Sequence, residues 1–329
     1  MRLCLKLCAT AVLLAVPLAG HATSCTMGAA LPLQDRDALA GAGGRLAQAV
    51  VQQDYPALQA ALLPAEAGDW ETIRGAIESA APLFKGGQVQ LQFAYALDAQ
   101  SLTAPADTQF FCSNASGSVN VTISMHAIPP GRYAVVLANT PGTPLRGQLG
   151  MILAWDGAGA TAGWKLAGLS MRPGVLDGAD GVEWWKRARE TARADQSWSA
   201  WFCYETARYL LVPVEFLSSP NLEKLGAEQS QLKGSPQEAF PLSVPAGDRV
   251  WKIDAISLDA SLGHADLGVA FESTGVTDPA AQRTEAVAAL SALAKAHPGL
   301  REGFHGMWAY AVKDGKRTPV MELPMAQIP

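Results

Sequence analysis

Two segments of the chain alternate between apolar and polar residues, and this alternation restricts the folds that the chain can adopt. In residues 88–97 the odd positions from Val89 to Leu97 are apolar, and glutamine occupies positions 88, 90 and 92. Residues 119–126 alternate in the same way. Because successive side chains of a strand point to opposite faces of a sheet, both segments are predicted to be half-buried strands of an antiparallel sheet.

Helical patterns precede the first of these strands. Apolar residues recur at helical spacing in residues 35–63, with breaks at 41–44 and 55–56, and again in residues 70–84. Further strands are predicted at residues 133–138, 148–155 and 164–171. Helices followed by a run of antiparallel strands predict the α+β class, with helices on a curved antiparallel sheet over residues 35–175.

A helical hairpin is predicted next, within residues 181–232. Its two helices, 182–193 and 198–211, carry a group of aromatic residues: Trp184, Trp185, Trp198, Trp201, Phe202, Tyr204 and Tyr209. A single hairpin cannot bury its own apolar face. We therefore expect this one to pack against the rest of the chain, and packing against a partner protein is the alternative.

A stretch rich in proline, glycine and serine, residues 234–247, is interpreted as a linker to the last part of the chain. Residues 248–329 are predicted to form a small ββαββ unit. Its helix begins after the N-cap Asp278 and ends near His297, and an Asp-Gly pair at 314–315 predicts a tight hairpin. The strands of this unit are predicted at residues 250–258, 265–272, 307–313 and 317–323.

The N-terminus has the parts of a cleaved secretory signal peptide in the expected order. Arg2 and Lys6 precede an uncharged run at residues 7–18, which is too short to span a bilayer. Cleavage is expected after Ala22, so residues 1–22 are interpreted as a signal peptide and the mature protein as periplasmic or secreted. Lipidation of Cys25, which would make the protein an anchored lipoprotein, is the alternative, although the usual leucine three residues earlier is missing.

Three cysteines remain after such cleavage, and in an oxidising compartment one of them must stay unpaired. Cys203 lies among aromatic residues in the second hairpin helix, a setting that buries a thiol. Cys112 lies at a predicted strand end beside a polar turn, where it can receive the irregular N-terminal arm that carries Cys25. A disulfide between Cys25 and Cys112 is therefore predicted, unless Cys25 is lipidated.

The charge of the chain limits the partners that it can bind. The formal net charge is -5 and becomes -7 without Arg2 and Lys6, and the sequence contains no block of lysine or arginine. This argues against nucleic acid or an anionic membrane surface as a partner. No segment of the mature chain is apolar and long enough to span a membrane. The predicted partner is an unknown envelope protein or a small ligand.

The order of elements in residues 35–175 resembles the cone fold of the nuclear-transport-factor-like superfamily, which includes the ketosteroid-isomerase-like proteins. The helix pattern Leu46-Ala47-Gln48-Ala49-Val50, followed by Asp54 and Leu58, is similar to that superfamily. The hairpin resembles one tetratricopeptide repeat in its large and small residues: Trp184, Ala188, Ala200, Tyr204, Ala207 and Pro213. Over its whole length the chain resembles exported bacterial proteins of uncharacterised function.

The cone resemblance implies a pocket without deciding its use, because the superfamily contains isomerases and hydrolases with pocket carboxylates and tyrosines as well as members that only bind. The residues able to line such a pocket are Tyr95, Asp98, Tyr133 and Asp156. One hypothesis is a binding or interaction protein that uses the cone sheet and the aromatic hairpin. The alternative is an isomerase- or hydrolase-type enzyme, in which a carboxylate acts as base and a tyrosine polarises a carbonyl.

No metal site and no cofactor are predicted. The histidines beyond residue 22 are not spaced as a helical metal pair: His126, His264, His297 and His305. The sequence motifs of a nucleophile elbow, a phosphate-binding loop and a zinc protease are absent as well. His264 and His305 are interpreted as residues of a turn and of a loop.

Overall fold

The computed structural model describes residues 23–157, 162–236 and 239–329, so the predicted signal peptide lies outside the described residues. The helices are α1 Leu33–Gln52, α2 Tyr55–Ala61, α3 Trp70–Phe84, α4 Gly181–Arg193, α5 Ser197–Leu211, α6 Pro220–Ser230, α7 Pro279–Ala296 and α8 Gly299–Gly303. The strands are β1 Ser24–Met27, β2 Gln90–Asp98, β3 Ala106–Ser113, β4 Asn120–Ile128, β5 Arg132–Asn139, β6 Gln148–Asp156, β7 Gly163–Arg172, β8 Val175–Leu176, β9 Ala179–Asp180, β10 Leu217–Ser218, β11 Leu242–Ala246, β12 Arg249–Asp259, β13 Asp266–Glu272, β14 Gly306–Lys313 and β15 Lys316–Pro324. The fold is of the predicted α+β class. Within the described ranges, no helix combines the length and the apolar character that a membrane span requires.

The first sheet has the strand order β1-β2-β5-β6-β7, and its neighbouring strands are antiparallel. Helices α1, α2 and α3 cover one face of this sheet. Their apolar side chains, such as Leu39, Leu58 and Ile77, form one buried cluster with Val136 and Met151 of the sheet. The helix side of the first sheet is therefore a packed core.

Helix α1 continues through residues 41–44, where the sequence predicted a break. Gly43 explains the difference, because a Cβ atom at this position would lie only 2.8 Å from Cγ1 of Val136 on β5. The glycine lets the helix approach the sheet closely. The helix ends instead at Gln52, where the next residue, Gln53, has a left-handed backbone conformation, and Asp54 then caps α2.

A smaller sheet with the order β10-β4-β3 covers the other face of the first sheet. Tyr95 and Leu97 of β2 share a buried cluster with Phe110 and Ile123 of the smaller sheet. The alanines between them, Ala94 and Ala96, pack on the helix side. The second half of β2 is therefore covered on both faces, whereas the sequence predicted one buried face.

A disulfide joins Cys25 and Cys112, as predicted. Cys25 lies on β1, which pairs with β2, so the N-terminal arm is a strand of the sheet rather than an irregular segment. Cys203 is the free cysteine of the described ranges, and burial raises the pKa of its thiol to about 12.

Helices α4 and α5 form the predicted hairpin, which packs within the chain. Asp180 begins α4 with a capping box that it completes with Glu183. The fully buried Trp184 stacks on Phe304 with 5.9 Å between ring centroids, and Phe202 meets the same ring edge-on at 6.2 Å. The hairpin therefore shares one core with the C-terminal unit.

The C-terminal sheet has the strand order β11-β12-β13-β14-β15. Strands β13 and β14 are parallel and are connected through α7, which begins where Asp278 accepts a hydrogen bond of 2.8 Å from the N–H of Ala281, as predicted. Strand β11 lies in the stretch that was interpreted as a linker, so the unit is βββαββ. Proline is tolerated in β11 because it is an edge strand, and its Pro245 pairs with Val250.

Candidate functional site

Of the four predicted pocket residues, Tyr95 lines an apolar cavity that Asp98, Tyr133 and Asp156 do not line. This apolar cleft, of about 380 Å³, lies between the first sheet, the hairpin and α6. The residues that line it include Phe93, Tyr95, Leu137, Val182, Trp185, Leu211 and Leu222. Both parts of the chain that the binding hypothesis invoked, the first sheet and the aromatic hairpin, contribute walls to it.

The mouth of the apolar cleft carries an exposed aromatic ring beside a buried one. Phe93 is 44% exposed and stacks on Tyr95, which is 2% exposed, with 6.1 Å between the ring centroids. Burial raises the pKa of Tyr95 to about 12, so its hydroxyl keeps its proton. No group of the described residues forms a hydrogen bond with this hydroxyl, although a buried tyrosine usually finds such a partner.

The wall of the cleft at Trp185 is held by a half-buried ion pair between Arg189 and Glu228. The indole N–H of Trp185 donates a hydrogen bond of 2.8 Å to Glu228. The same carboxylate accepts hydrogen bonds from Nε and Nη2 of Arg189, at 2.7 Å and 2.8 Å. Such a bidentate pair fixes both side chains in one geometry. The Trp185 ring is therefore preorganised as a flat apolar surface of the cleft.

The other predicted pocket residues lie outside the apolar cleft. Asp98 ends β2, where its carboxylate accepts a hydrogen bond of 2.9 Å from the N–H of Gln100 in the following turn. The hydroxyl of Tyr133 donates to the carbonyl of Pro129 at 2.9 Å. Asp156 ends β6 opposite Gly163. The structure therefore does not bring a carboxylate next to Tyr95 in this cleft, whose described lining residues include no aspartate or glutamate.

A second candidate site is polar and lies at the end of the C-terminal sheet where strands β13 and β14 begin. We call it the histidine–carboxylate cluster, and its members are Asp177, His264, Asp266, His305 and Glu322. Nδ1 of His305 lies 2.9 Å from Oδ1 of Asp266, and Nδ1 of His264 lies 2.7 Å from Oδ1 of Asp177. The two imidazole rings stack with 3.9 Å between their centroids.

The register of the sheet explains why these residues meet. Asp266 and Gly306 are the first residues of the parallel strands β13 and β14, and Leu267 pairs with Met307. Glu322 lies on the neighbouring β15. A Cβ atom on Gly306 would lie 2.7 Å from Oε1 of Glu322 and 3.0 Å from Oδ1 of Asp266. The glycine therefore leaves the space that the two carboxylates occupy.

The carboxylates of the histidine–carboxylate cluster are poorly solvated. Burial raises the pKa of Asp266, and the hydrogen bond with His305 opposes this only in part. Burial and then the charge of Asp266 raise the pKa of Glu322. Oδ2 of Asp266 and Oε1 of Glu322 are buried and have no hydrogen-bond partner among the described residues. Ligand atoms of Asp266, His305 and Glu322 lie within 4.8 Å of one another, an arrangement suited to a metal ion or to a shared proton.

Spacing along the chain does not reveal the histidine–carboxylate cluster, because its two histidines, His264 and His305, lie far apart in the sequence. His264 precedes β13 by two residues and His305 directly precedes β14. Two strands joined by a helix usually run parallel, and parallel strands begin at the same edge of a sheet. That topology was the signal in the sequence that would have placed the two histidines together.

Comparisons with known proteins do not assign a function to either site. No family model matches the chain, and neither a curated protein nor a solved structure matches it. The geometry of the two sites is therefore the basis for the proposals below.

Proposed function

We propose that the mature chain is an exported, soluble binding protein that takes up a small, largely apolar ligand in the apolar cleft. The observation that carries this proposal is the pair of rings at its mouth. Phe93 is an exposed aromatic residue, and the neighbouring Tyr95 has a buried ring whose hydroxyl forms no hydrogen bond with the described residues. An apolar pocket with one unused polar group is the usual form of a ligand site.

The size and lining of the apolar cleft support a small ligand. Ligand pockets usually measure about 300–1,000 Å³, and the cleft measures about 380 Å³. The polar groups of the wall are partly engaged, since the amide of Gln148 donates to two backbone carbonyls and the amide of Gln92 donates to Asn139. The Tyr95 hydroxyl is then a group that can orient a ligand, which we propose carries one polar group on an apolar body.

The disulfide supports the proposal of export. Stable disulfides form mainly in oxidising compartments, and the Cys25–Cys112 bond links the two cysteines that the export hypothesis paired. The same bond argues for a soluble mature chain rather than a lipoprotein, because a lipidated Cys25 would not be available to Cys112. A periplasmic or secreted location remains part of the proposal.

The apolar cleft supports binding better than catalysis. An enzyme of the isomerase or hydrolase kind needs a base close to the reacting atoms. The cleft contributes Tyr95 but no carboxylate among its described lining residues, and Asp98 serves the turn after β2. We therefore propose a binding role, and the enzyme hypothesis has no site in this cleft to support it.

The proposal is tested with N-phenyl-1-naphthylamine, a neutral apolar probe whose fluorescence rises in an apolar site. We expect saturable binding to the wild-type protein, and a loss of about tenfold in affinity for Phe93→Ser, equivalent to about 1.4 kcal/mol. Phe111→Ser is the matched control, because Phe111 is an exposed phenylalanine on β3 that does not line the cleft. Equal losses in both variants, or no saturable binding, would contradict the proposal.

A further inference from the structure

We propose that Asp266, His305 and Glu322 form a binding site for one divalent transition-metal cation, with Zn²⁺ as the best match. The site lies on the C-terminal sheet and is separate from the apolar cleft. Four observations carry the proposal: unpaired buried oxygens, the spacing of the ligand atoms, the space beside Gly306, and the orientation of His305.

The unpaired oxygens are the first observation. The side chain of Asp266 is 1% exposed, and its Oδ2 atom has no hydrogen-bond partner among the described residues. Oε1 of Glu322 is also buried and also has no hydrogen-bond partner among the described residues. A buried charge is costly unless it is paired or bound to a metal. One dication neutralises the two carboxylates and gives both oxygens a partner.

The spacing of the ligand atoms is the second observation. One ligand atom from each of Asp266, His305 and Glu322 lies within 4.8 Å of the other two. In a tetrahedral zinc site, the ligand atoms lie about 2.0–2.2 Å from the metal and hence about 3.4 Å apart. Side-chain rotations that draw the atoms together by up to about 1.4 Å would produce that geometry. No movement of the sheet is required.

The third observation is the absence of a side chain at Gly306, which lets the two carboxylates approach each other. A Cβ atom at this position would meet Oε1 of Glu322 at 2.7 Å, Oδ1 of Asp266 at 3.0 Å and the carbonyl of Leu323 at 2.8 Å. Any other residue would therefore displace one of the two carboxylates. At this position of the sheet, no side chain separates the carboxylate of Asp266 from that of Glu322.

The orientation of His305 is the fourth observation. Its ring stacks on His264, and Asp177 holds His264 at 2.7 Å and the backbone N–H of Ala265 at 2.8 Å. Outer groups that restrict a ligating side chain are a regular feature of metal sites, and for His305 the restriction is this ring stacking rather than a hydrogen bond to an outer group. The side chain of His305 is 35% exposed, so solvent and a metal ion have access from that side.

The donor set points to the class of cation. An imidazole nitrogen suits zinc, copper, iron and nickel, whereas magnesium and calcium prefer sites built of oxygen alone. One nitrogen with two carboxylates is a donor set that zinc accepts, and three protein ligands leave a fourth position for water. We therefore expect Zn²⁺ to bind more tightly than Mg²⁺.

The test is isothermal titration of the full-length mature protein with Zn²⁺ after treatment with EDTA, together with metal analysis after dialysis. We expect one Zn²⁺ per chain in the wild type, and a loss of at least about tenfold in affinity for Glu322→Gln and for His305→Ala, since outer groups alone contribute that much. Titration with Mg²⁺ should give no comparable heat. Glu322→Gln keeps the shape of the side chain, and circular dichroism confirms its fold.

His126→Ala is the matched control for surface binding. Nδ1 of His126 lies 3.4 Å from Oδ2 of Asp107, so this is also a histidine–aspartate pair, but both side chains are largely exposed. Its replacement should leave Zn²⁺ affinity unchanged. If the wild type binds no Zn²⁺, or if His126→Ala loses as much affinity as His305→Ala, the metal site does not exist and the cluster is a hydrogen-bonded carboxyl group beside two histidines.

Discussion

Glu285 on α7 shows how hydrogen-bond donors keep a buried carboxylate charged. Its carboxylate accepts hydrogen bonds from Arg249 at 2.9 Å, from the hydroxyl of Ser273 at 2.7 Å and from the N–H of Thr274 at 3.0 Å. Burial alone would raise its pKa, but these donors outweigh burial and lower the pKa to about 2. Asp266 is buried to a similar degree with fewer donors, and its pKa is raised.

The low pKa of Glu285 predicts a loss of stability in acid. Because the folded-state pKa is depressed, this contribution to the free energy of unfolding is complete above about pH 4.5, and it is lost as the pH falls towards about 2. We expect the loss to be about 2–3 kcal/mol in urea titrations between pH 2 and pH 6. Glu285→Gln should be less stable at pH 6 and should lack this component of the pH dependence. Glu272→Gln, at an exposed pair with Lys252, should keep it.

At the scale of elements, the hairpin of α4 and α5 connects the first sheet with the C-terminal sheet. Its buried rings, Trp184 and Phe202, contact Phe304 beside the C-terminal sheet. On its other side, Tyr204 donates a hydrogen bond of 3.3 Å to Glu228 of α6, the residue that also fixes Trp185 in the apolar cleft. A weakened hairpin should therefore affect both the core and the cleft.

Substitutions of Tyr204 separate the contribution of ring packing to the free energy of unfolding from the contribution of hydrogen bonding in this hairpin. Tyr204→Ala should lower the free energy of unfolding by about 3–5 kcal/mol, because the ring is buried in the core. Tyr204→Phe should cost only about 1 kcal/mol, since it loses one hydrogen bond and keeps the ring. Trp201→Ala should cost less than Tyr204→Ala because Trp201 is only partly buried. Chemical denaturation measures all three, and an unchanged midpoint for Tyr204→Ala would show that the hairpin is not part of the core.

Elements with a strong local pattern could be predicted from the sequence. Helix α3 has the predicted limits, and α4 and α5 begin one residue before the predicted helices. The break at 41–44 was wrong because Gly43 serves contact with Val136, which local pattern does not contain. Strand β11 was missed because its pairing with β12, not its composition, makes it a strand.

The candidate sites depend still more on long-range pairing than the elements do. Tyr95 could be predicted because it shares an apolar strand face with Phe93. The walls that turn this face into a cleft come from α4 and α6, and no local pattern contains that packing. His264 and His305 meet only because β13 and β14 are parallel neighbours.

At the scale of the whole molecule, the disulfide ties the edge of the first sheet to the smaller sheet. Cys25 on β1 and Cys112 on β3 are separated by 87 residues, and their Cα atoms lie 5.0 Å apart. A cross-link that closes a long loop lowers the entropy of the unfolded chain. The first sheet and the smaller sheet are therefore held together by a covalent bond as well as by their shared apolar core.

Protein isolated from the cell envelope tests export and the disulfide together. The mature chain should begin at Thr23, and peptide mapping without reductant should recover Cys25 linked to Cys112. Reduction should lower the free energy of unfolding by up to about 4–5 kcal/mol, as expected for closure of this loop. A Cys112 that alkylates without reductant would contradict the disulfide, and a diacylated Cys25 would also show that the chain is a lipoprotein.

Strand β10 imposes an order on folding. Leu217 pairs with Ile123 of β4, roughly 90 residues earlier in the chain, and the smaller sheet is incomplete until this pair has formed. Such distant contacts slow folding, because the intervening chain must lose its freedom before the contact forms. A nascent chain that ended at residue 175 would leave one hydrogen-bonding edge of β4 without its neighbouring strand. Until β10 emerges, this edge presents unpaired backbone groups, at which another chain can add a strand and aggregation can begin.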